Sequence, residues 1–287
     1  MNRLPNRRRA AAATALLALF TAGCSHRAVA VCSGAIPIGE QVRRIRLVVE
    51  NGTIDIAVPE SAATSDVVAF QGGVRMDATS DEGLVALRQV PPGLTGAPDP
   101  ADPTVLVVRT PARPAGVTGM IAFEGGIRVP AELPLDVEVR ENGHVTMVGR
   151  RAASEVHTRR GDLRFEDCRG GVTATTGHGV LIAFGHHGDL DVQSKHGDMQ
   201  AFFDEVGEKI LLSTGKGTIQ CHVPAGGGYE VSAHAEIGRI GTDFDLESRT
   251  VGDGGYGAAV NGRVGDGRTK VILRTASGHI SLVPRKS

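Results

Sequence analysis

Tryptophan is absent from this chain, tyrosine occurs twice, and aromatic residues make up only 3% of its 287 positions. A core built without large rings has to be thin and filled by Val, Ile, Leu and small residues. A charge excess is also missing: 31 basic and 32 acidic side chains nearly cancel. No basic stripe interleaved with aromatics is present either, so nucleic acid is excluded as a partner class. Apolar runs long enough for a helix are few. Glycine, by contrast, is abundant at 39 copies, beside 14 prolines.

The glycines are periodic. Gly143, Gly161, Gly179 and Gly197 recur every eighteen residues, and Gly217 follows after a two-residue slip. Around each one, apolar or small residues sit seven, five and three places before it, as in Leu190, Val192, Ser194; Ile210, Leu212, Thr214; and Val271, Leu273, Thr275. The alternation resumes two and four places after it, with Leu163 and Phe165, Met199 and Ala201, Ile219 and Cys221, Ile280 and Leu282. Period-two alternation predicts strands with one buried face. Each repeat therefore reads as a strand, a tight turn centred on the glycine, a second strand and a looser turn. Glycine suits the tight turn because it reaches positive φ without a Cβ clash. A repeat of this size predicts stacked coils. The expected fold is all-β: a single-stranded β-solenoid of about eighteen residues per coil. A hexapeptide β-helix is excluded, because six residues on from Val156 and Val172 stand Asp162 and His178.

The division of the chain follows. Residues 1–23 read as a signal peptide, 24–40 as a tether and 41–287 as the repeat domain. Within that domain, 41–134 form an irregular cap that holds a first repeat around Gly52, and 135–241 form the regular coils. A glycine-rich loop at 250–268 precedes a final coil at 269–287. The opening segment and the final coil are expected to serve as caps, since a stack of strands must hide its two unpaired edges.

At the amino terminus, Arg3, Arg7, Arg8 and Arg9 precede an apolar stretch from Ala10 to Phe20 that is too short to span a bilayer. Thr21-Ala22-Gly23-Cys24 closes it. The segment resembles a bacterial lipoprotein signal peptide, departing from it where Thr21 replaces the usual leucine. The resemblance implies export, cleavage before Cys24, and lipidation of Cys24 as a membrane anchor in the cell envelope. Ser25 is not the aspartate that holds such lipoproteins at the inner membrane, which favours the outer membrane, facing the periplasm or the cell surface. The other cysteines, Cys32, Cys168 and Cys221, read as structural thiols; Cys168 and Cys221 occupy different columns of the repeat, and a disulfide between them stays open.

Across nearly the whole mature chain, from about Val42 to Val283, the turns Glu50-Asn51-Gly52-Thr53-Ile54, Glu141-Asn142-Gly143-His144-Val145, Arg160-Gly161-Asp162-Leu163, His196-Gly197-Asp198-Met199 and Ser277-Gly278-His279-Ile280 recur. In these the chain resembles the bacterial adhesin-like β-strand-repeat proteins. The resemblance implies a β-solenoid and the label of adhesin; it brings no activity, cofactor or catalytic residue.

Other motifs dissolve into the repeat. Gly215-Lys216 lacks the glycine a phosphate loop needs five places earlier, where Ile210 stands. Arg160-Gly161-Asp162 spells an integrin tripeptide, yet His196-Gly197-Asp198 fills the same column. No catalytic constellation emerges. If a metal is held anywhere, the candidates are His178, His196 and Asp198, with His186, His187 and Asp189 on nearby turns; in an eighteen-residue register His178 and His196 become neighbours about 4.8 Å apart. No metal site and no cofactor is assigned. The reading is an exported, lipid-anchored, non-enzymatic surface interaction or structural protein whose partners are membrane lipid through Cys24 and an envelope or surface component. The alternatives are a β-helical enzyme acting on polysaccharide and a periplasmic partner of envelope sensing machinery.

Overall fold

A computed structural model describes residues 14–16, 26–59, 66–251 and 257–285, and these are nearly all β. Strands β1 (Thr14–Leu16), β2 (His26–Pro37), β3 (Arg44–Ala57) and β4 (Val67–Ala78) lead to the one helix among the described residues, α1 (Asp81–Arg88). β5 (Thr95–Pro98), β6 (Val105–Arg109) and β7 (Gly119–Arg128) complete the opening segment. The repeats follow as β8 (Leu135–Val148), β9 (Ser154–Arg160), β10 (Leu163–Glu166), β11 (Val172–His178), β12 (Leu181–His196), β13 (Met199–Lys216), β14 (Ile219–Pro224), β15 (Tyr229–Ile237) and β16 (Ile240–Thr242). The chain then runs through β17 (Glu247–Val251), β18 (Ala258–Val264), β19 (Thr269–Ser277) and β20 (Ile280–Arg285).

The period-two pattern becomes two parallel ladders that meet at the glycine turns. Before the turn, β8, β9, β11 and the second halves of β12 and β13 pair in parallel; after it, the second half of β8, β10, the first halves of β12 and β13, and β14 do the same. Leu163 pairs with Leu181 and His178 with His196, each eighteen residues on, so the sequence period is the strand register. Leu163, Phe165, Leu181, Ala183, Met199 and Ala201 from one ladder face Val172, Ala174, Leu190, Val192, Ile210 and Leu212 from the other, all at most 2% exposed. The core between the ladders is thin, as the shortage of rings requires.

The position three before the glycine is Thr in four coils for a local reason. A buried hydroxyl there donates to a turn carbonyl, which would otherwise lose its water without a partner. Thr158 donates to Arg160 O at 3.1 Å, Thr176 to His178 O at 3.3 Å, Thr214 to Gly197 O at 3.0 Å and Thr275 to Gly217 O at 3.0 Å.

Three expectations need correcting. A single-stranded solenoid with coils in chain order does not account for the pairing found. β19 and β20 insert between β13/β14 on one side and β15/β16 on the other, so the last coil in sequence is an interior coil in space. The far edge is closed instead by β18, antiparallel to β15, with β17 antiparallel beyond it; an antiparallel strand ends a parallel stack because it uses up the exposed amides and carbonyls. At the other end β3 stacks in parallel on β8, and its outer side is covered by β6 and β7. β7, β4 and β2 then continue as an antiparallel sheet.

The second correction concerns residues 24–40. His26–Pro37 form β2, paired along its length with β4, and Ala28, Ala30 and Cys32 are buried beneath it. Third, the irregular segment contains α1. Ser80 caps it, its Oγ accepting from Gly83 N at 3.1 Å, Asp81 and Glu82 occupy its first turn, and Leu84 and Leu87 are buried. Cys32, Cys168 and Cys221 are buried free thiols, in keeping with the structural reading of them, and the disulfide left open between Cys168 and Cys221 is not formed.

Candidate functional site

The glycine column defines one long edge of the molecule. Gly161, Gly179, Gly197, Gly217 and Gly278 have φ between 140° and 154°, a region closed to residues with a Cβ. A second constraint is absent from the sequence reading: a Cβ on Gly179 would lie 2.0 Å from Gly161 O, and one on Gly197 would lie 1.8 Å from Gly179 O. Each turn therefore rests directly on the carbonyl of the turn before it. Gly143 departs from the expectation: its φ is not positive, and it is required by contact alone, 2.4 Å from Gly52 O. Gly238, unmarked in the sequence analysis, joins the column beside Gly278.

On this edge the structure brings His178 and His196 together. Their rings stack with centroids 4.7 Å apart and planes 15° from parallel, and they pair in register. Their flanking partners are Arg160 and Lys216, both exposed. Among the described residues no group of three or more His, Cys, Asp or Glu side chains is placed to hold a metal ion. Asp198 is committed elsewhere, its Oδ1 accepting from Thr218 N at 2.7 Å, and Asp162 likewise accepts from Val180 N at 2.8 Å and sits 3.2 Å from His144. The Asp of the Arg160-Gly161-Asp162 turn thus binds the next coil.

His186, His187 and Asp189 lie at the opposite, looser corner and do not join that pair. His186 is fully buried, edge-on to Phe203, with Nε2 bonded to Asp189 O at 2.9 Å and Nδ1 without a partner. Burial pushes its pKa down. His187 sits between Asp204 and Glu205, at 3.6 and 3.7 Å. Arg150 is also fully buried; its guanidinium donates to Val129 O, Pro130 O and Leu133 O, and desolvation lowers its pKa to about 10. Burial pushes the Cys221 thiol up to about 12, so it is inert as a nucleophile.

Two outward features escaped the sequence reading. Phe184, Phe202 and His222 stack on successive coils, with Phe202 and His222 face to face at 4.4 Å. Arg285 lies over Phe184 and pairs with Asp204. Phe184 and Phe202 stand eighteen residues apart, a signal the period already carried. On the other ladder a trough of about 340 Å³ runs over Gly171 between Asp136, Glu155, Asp189, Asp191 and Lys209. Its carboxylates are engaged: Asp136 with Arg44 at 3.3 Å, Glu155 with His157 at 2.8 Å, Asp191 with Lys209 at 2.7 Å, and Asp189 with the amides of Glu208 and Lys209.

Cys24 lies outside the described residues. Among the described residues no helix is long and apolar enough to cross a membrane.

No family model matches the chain, and no curated protein matches it. Among solved structures it is similar to a "putative cell adhesion protein" from Clostridium sporogenes, at 11% identity and a TM-score of 0.34, over 89% of this chain and 100% of that one. It is also similar to a "putative adhesin" from Bacteroides fragilis, at 10% identity and a TM-score of 0.30, over 89% and 97%. A "putative lipid binding protein" from Parabacteroides distasonis follows at 10% identity and a TM-score of 0.32, over 88% and 96%. Identities and TM-scores this low leave the function to be argued from the chain's own residues.

Proposed function

We propose that this chain is an exported protein, anchored to the outer membrane through lipidated Cys24, whose β-solenoid body of residues 135–285 presents its faces to an envelope or surface component and catalyses no reaction. The observation that carries this reading is the engagement of the carboxylates in the Gly171 trough. Polysaccharide cleavage needs a carboxyl pair free to exchange protons across a bond. Here Asp136 and Asp191 are held in ion pairs, Glu155 by a hydrogen bond with His157 and Asp189 by two backbone amides, a pattern that orders a surface. The anchoring part rests on the resemblance of residues 1–24 to a lipoprotein signal, and two or more acyl chains make such an anchor stable where one is marginal.

Fractionation of cells expressing Cys24→Ala tests the anchor: the expected result is loss of lipid label and of membrane retention, and unchanged retention overturns it. Incubation of the purified chain with a panel of acidic and neutral polysaccharides tests the remainder. Binding to isolated envelope without turnover is expected, whereas release of oligosaccharides promotes the enzyme reading.

A further inference from the structure

We propose that the glycine-turn edge between the coils of Gly161 and Gly217 binds a linear anionic polysaccharide that lies along the stacking direction. This rests on the reading of the chain as a surface-binding protein and names its ligand class.

The argument begins with a column. Register places Arg160, His178, His196 and Lys216 on successive coils, one pitch of about 4.8 Å apart. One residue earlier the sequence alternates Arg159, Gly177, Lys195, Gly215, so that long cations stand on alternate coils with glycine gaps between them. The glycines are obligatory there, because a Cβ on Gly177 or Gly215 would lie 2.5 Å from the carbonyl of Arg159 or Lys195. Arg159, Arg160, Lys195 and Lys216 are exposed, and among the described residues none of them forms an ion pair. This contrasts with the trough face, where cations and carboxylates are matched.

The borders of the strip define its shape. On the far side of the turn, Asp162 and Asp198 are tied to the amides of Val180 and Thr218. On the near side stand His157, bonded to Thr175 and to Glu155, and then Thr175, Gln193 and Ser213, which carry no charge. Unpaired positive charge therefore runs along a line one to two side chains wide across these four coils, with Arg274 beside Ser213 on the coil that follows. A bilayer surface would call for a broad basic face and would meet Asp162 and Asp198. A single-stranded nucleic acid would call for aromatic side chains to stack its bases, and the strip carries none besides the two imidazoles, already stacked on each other. With no deep pocket in the edge, a small anion finds no enclosure. A flexible chain carrying an acid on each sugar matches the line in charge and in shape.

The test uses the purified full-length chain and alginate, a linear polyuronate, at low salt. Saturable binding is expected. R160S/K216S should weaken it about tenfold, the sum of two exposed charge contacts. R159S/K195S provides a second pair whose folding is independent of the first. R268S, remote from the strip, should bind as wild type. Absent binding, equal affinity in both cation pairs and wild type, equal competition by neutral dextran, or preference for anionic vesicles overturns the proposal. If alginate is not bound while isolated envelope still is, the ligand assignment falls and the surface-binding reading stands; if alginate is cleaved, the non-enzymatic reading falls.

Discussion

Substituting Gly197 by alanine separates the two reasons why the turn column is glycine. With φ at 147°, the residue lies in a region costing about 1–3 kcal/mol for any side chain. Its Cβ would also lie 1.8 Å from Gly179 O, so the two coils must part at the turn. Parting strains the bonds that hold it, Gly179 N to His196 O at 3.0 Å and Gly197 N to Lys216 O at 2.8 Å, each worth about 1 kcal/mol. The expected destabilisation of G197A is about 4 kcal/mol. Two other glycines isolate the terms. Gly116 has φ 79° but nothing within 4 Å of its Cβ, so G116A should cost only the backbone term of about 1–2 kcal/mol. Gly226 has neither constraint, and G226A should stay within about 0.5 kcal/mol of wild type. Urea unfolding followed by circular dichroism reads all three, provided the slope of the transition is unchanged. A loss in G197A no larger than that in G116A would refute the stacking argument and leave only the backbone one.

Two further outcomes concern buried groups. Because burial lowers the pKa of His186 while the unfolded side chain titrates near its ordinary value of about 6.5, the unfolded state binds more protons below that value; stability should be full above it and fall as pH drops through it. Urea midpoints between pH 7.5 and 5 check this, and H186M should flatten the slope. R150M removes the donors to three buried carbonyls between Val129 and Leu133 and should cost about 3 kcal/mol, measured in the same way at pH 7; a neutral result would show that water replaces the guanidinium there.

Much of the repeat was legible in the chain because its determinants are local. A period of eighteen sets the register, alternation sets the buried face, and glycine sets the turn; these place His178 on His196 without reference to anything distant. Phe184 and Phe202, eighteen residues apart with ring centroids 5.8 Å from each other, carry the same signal. The strip from Arg159 to Lys216 was present letter by letter, yet a near-zero net charge concealed it, since composition sums over faces that the fold separates.

Other features depended on pairings between distant residues. Nothing local to Thr269–Ser277 announces that it slides between β13 and β15, because all three strands expose the same parallel edge and the same alternating face; the choice is made by which neighbour best covers both. β2 alternates as well as any repeat strand, but only β4, some forty residues on, turns that alternation into a sheet. His186 and Arg150 read as ordinary polar residues near turns, and their burial is a property of the corners that close over them. By itself the sequence determined a glycine-ratcheted β-coil and its register, because each coil repeats the same short-range constraints. Coil order and end closure were decided by the tertiary structure, because those depend on which of several equivalent strand edges meet.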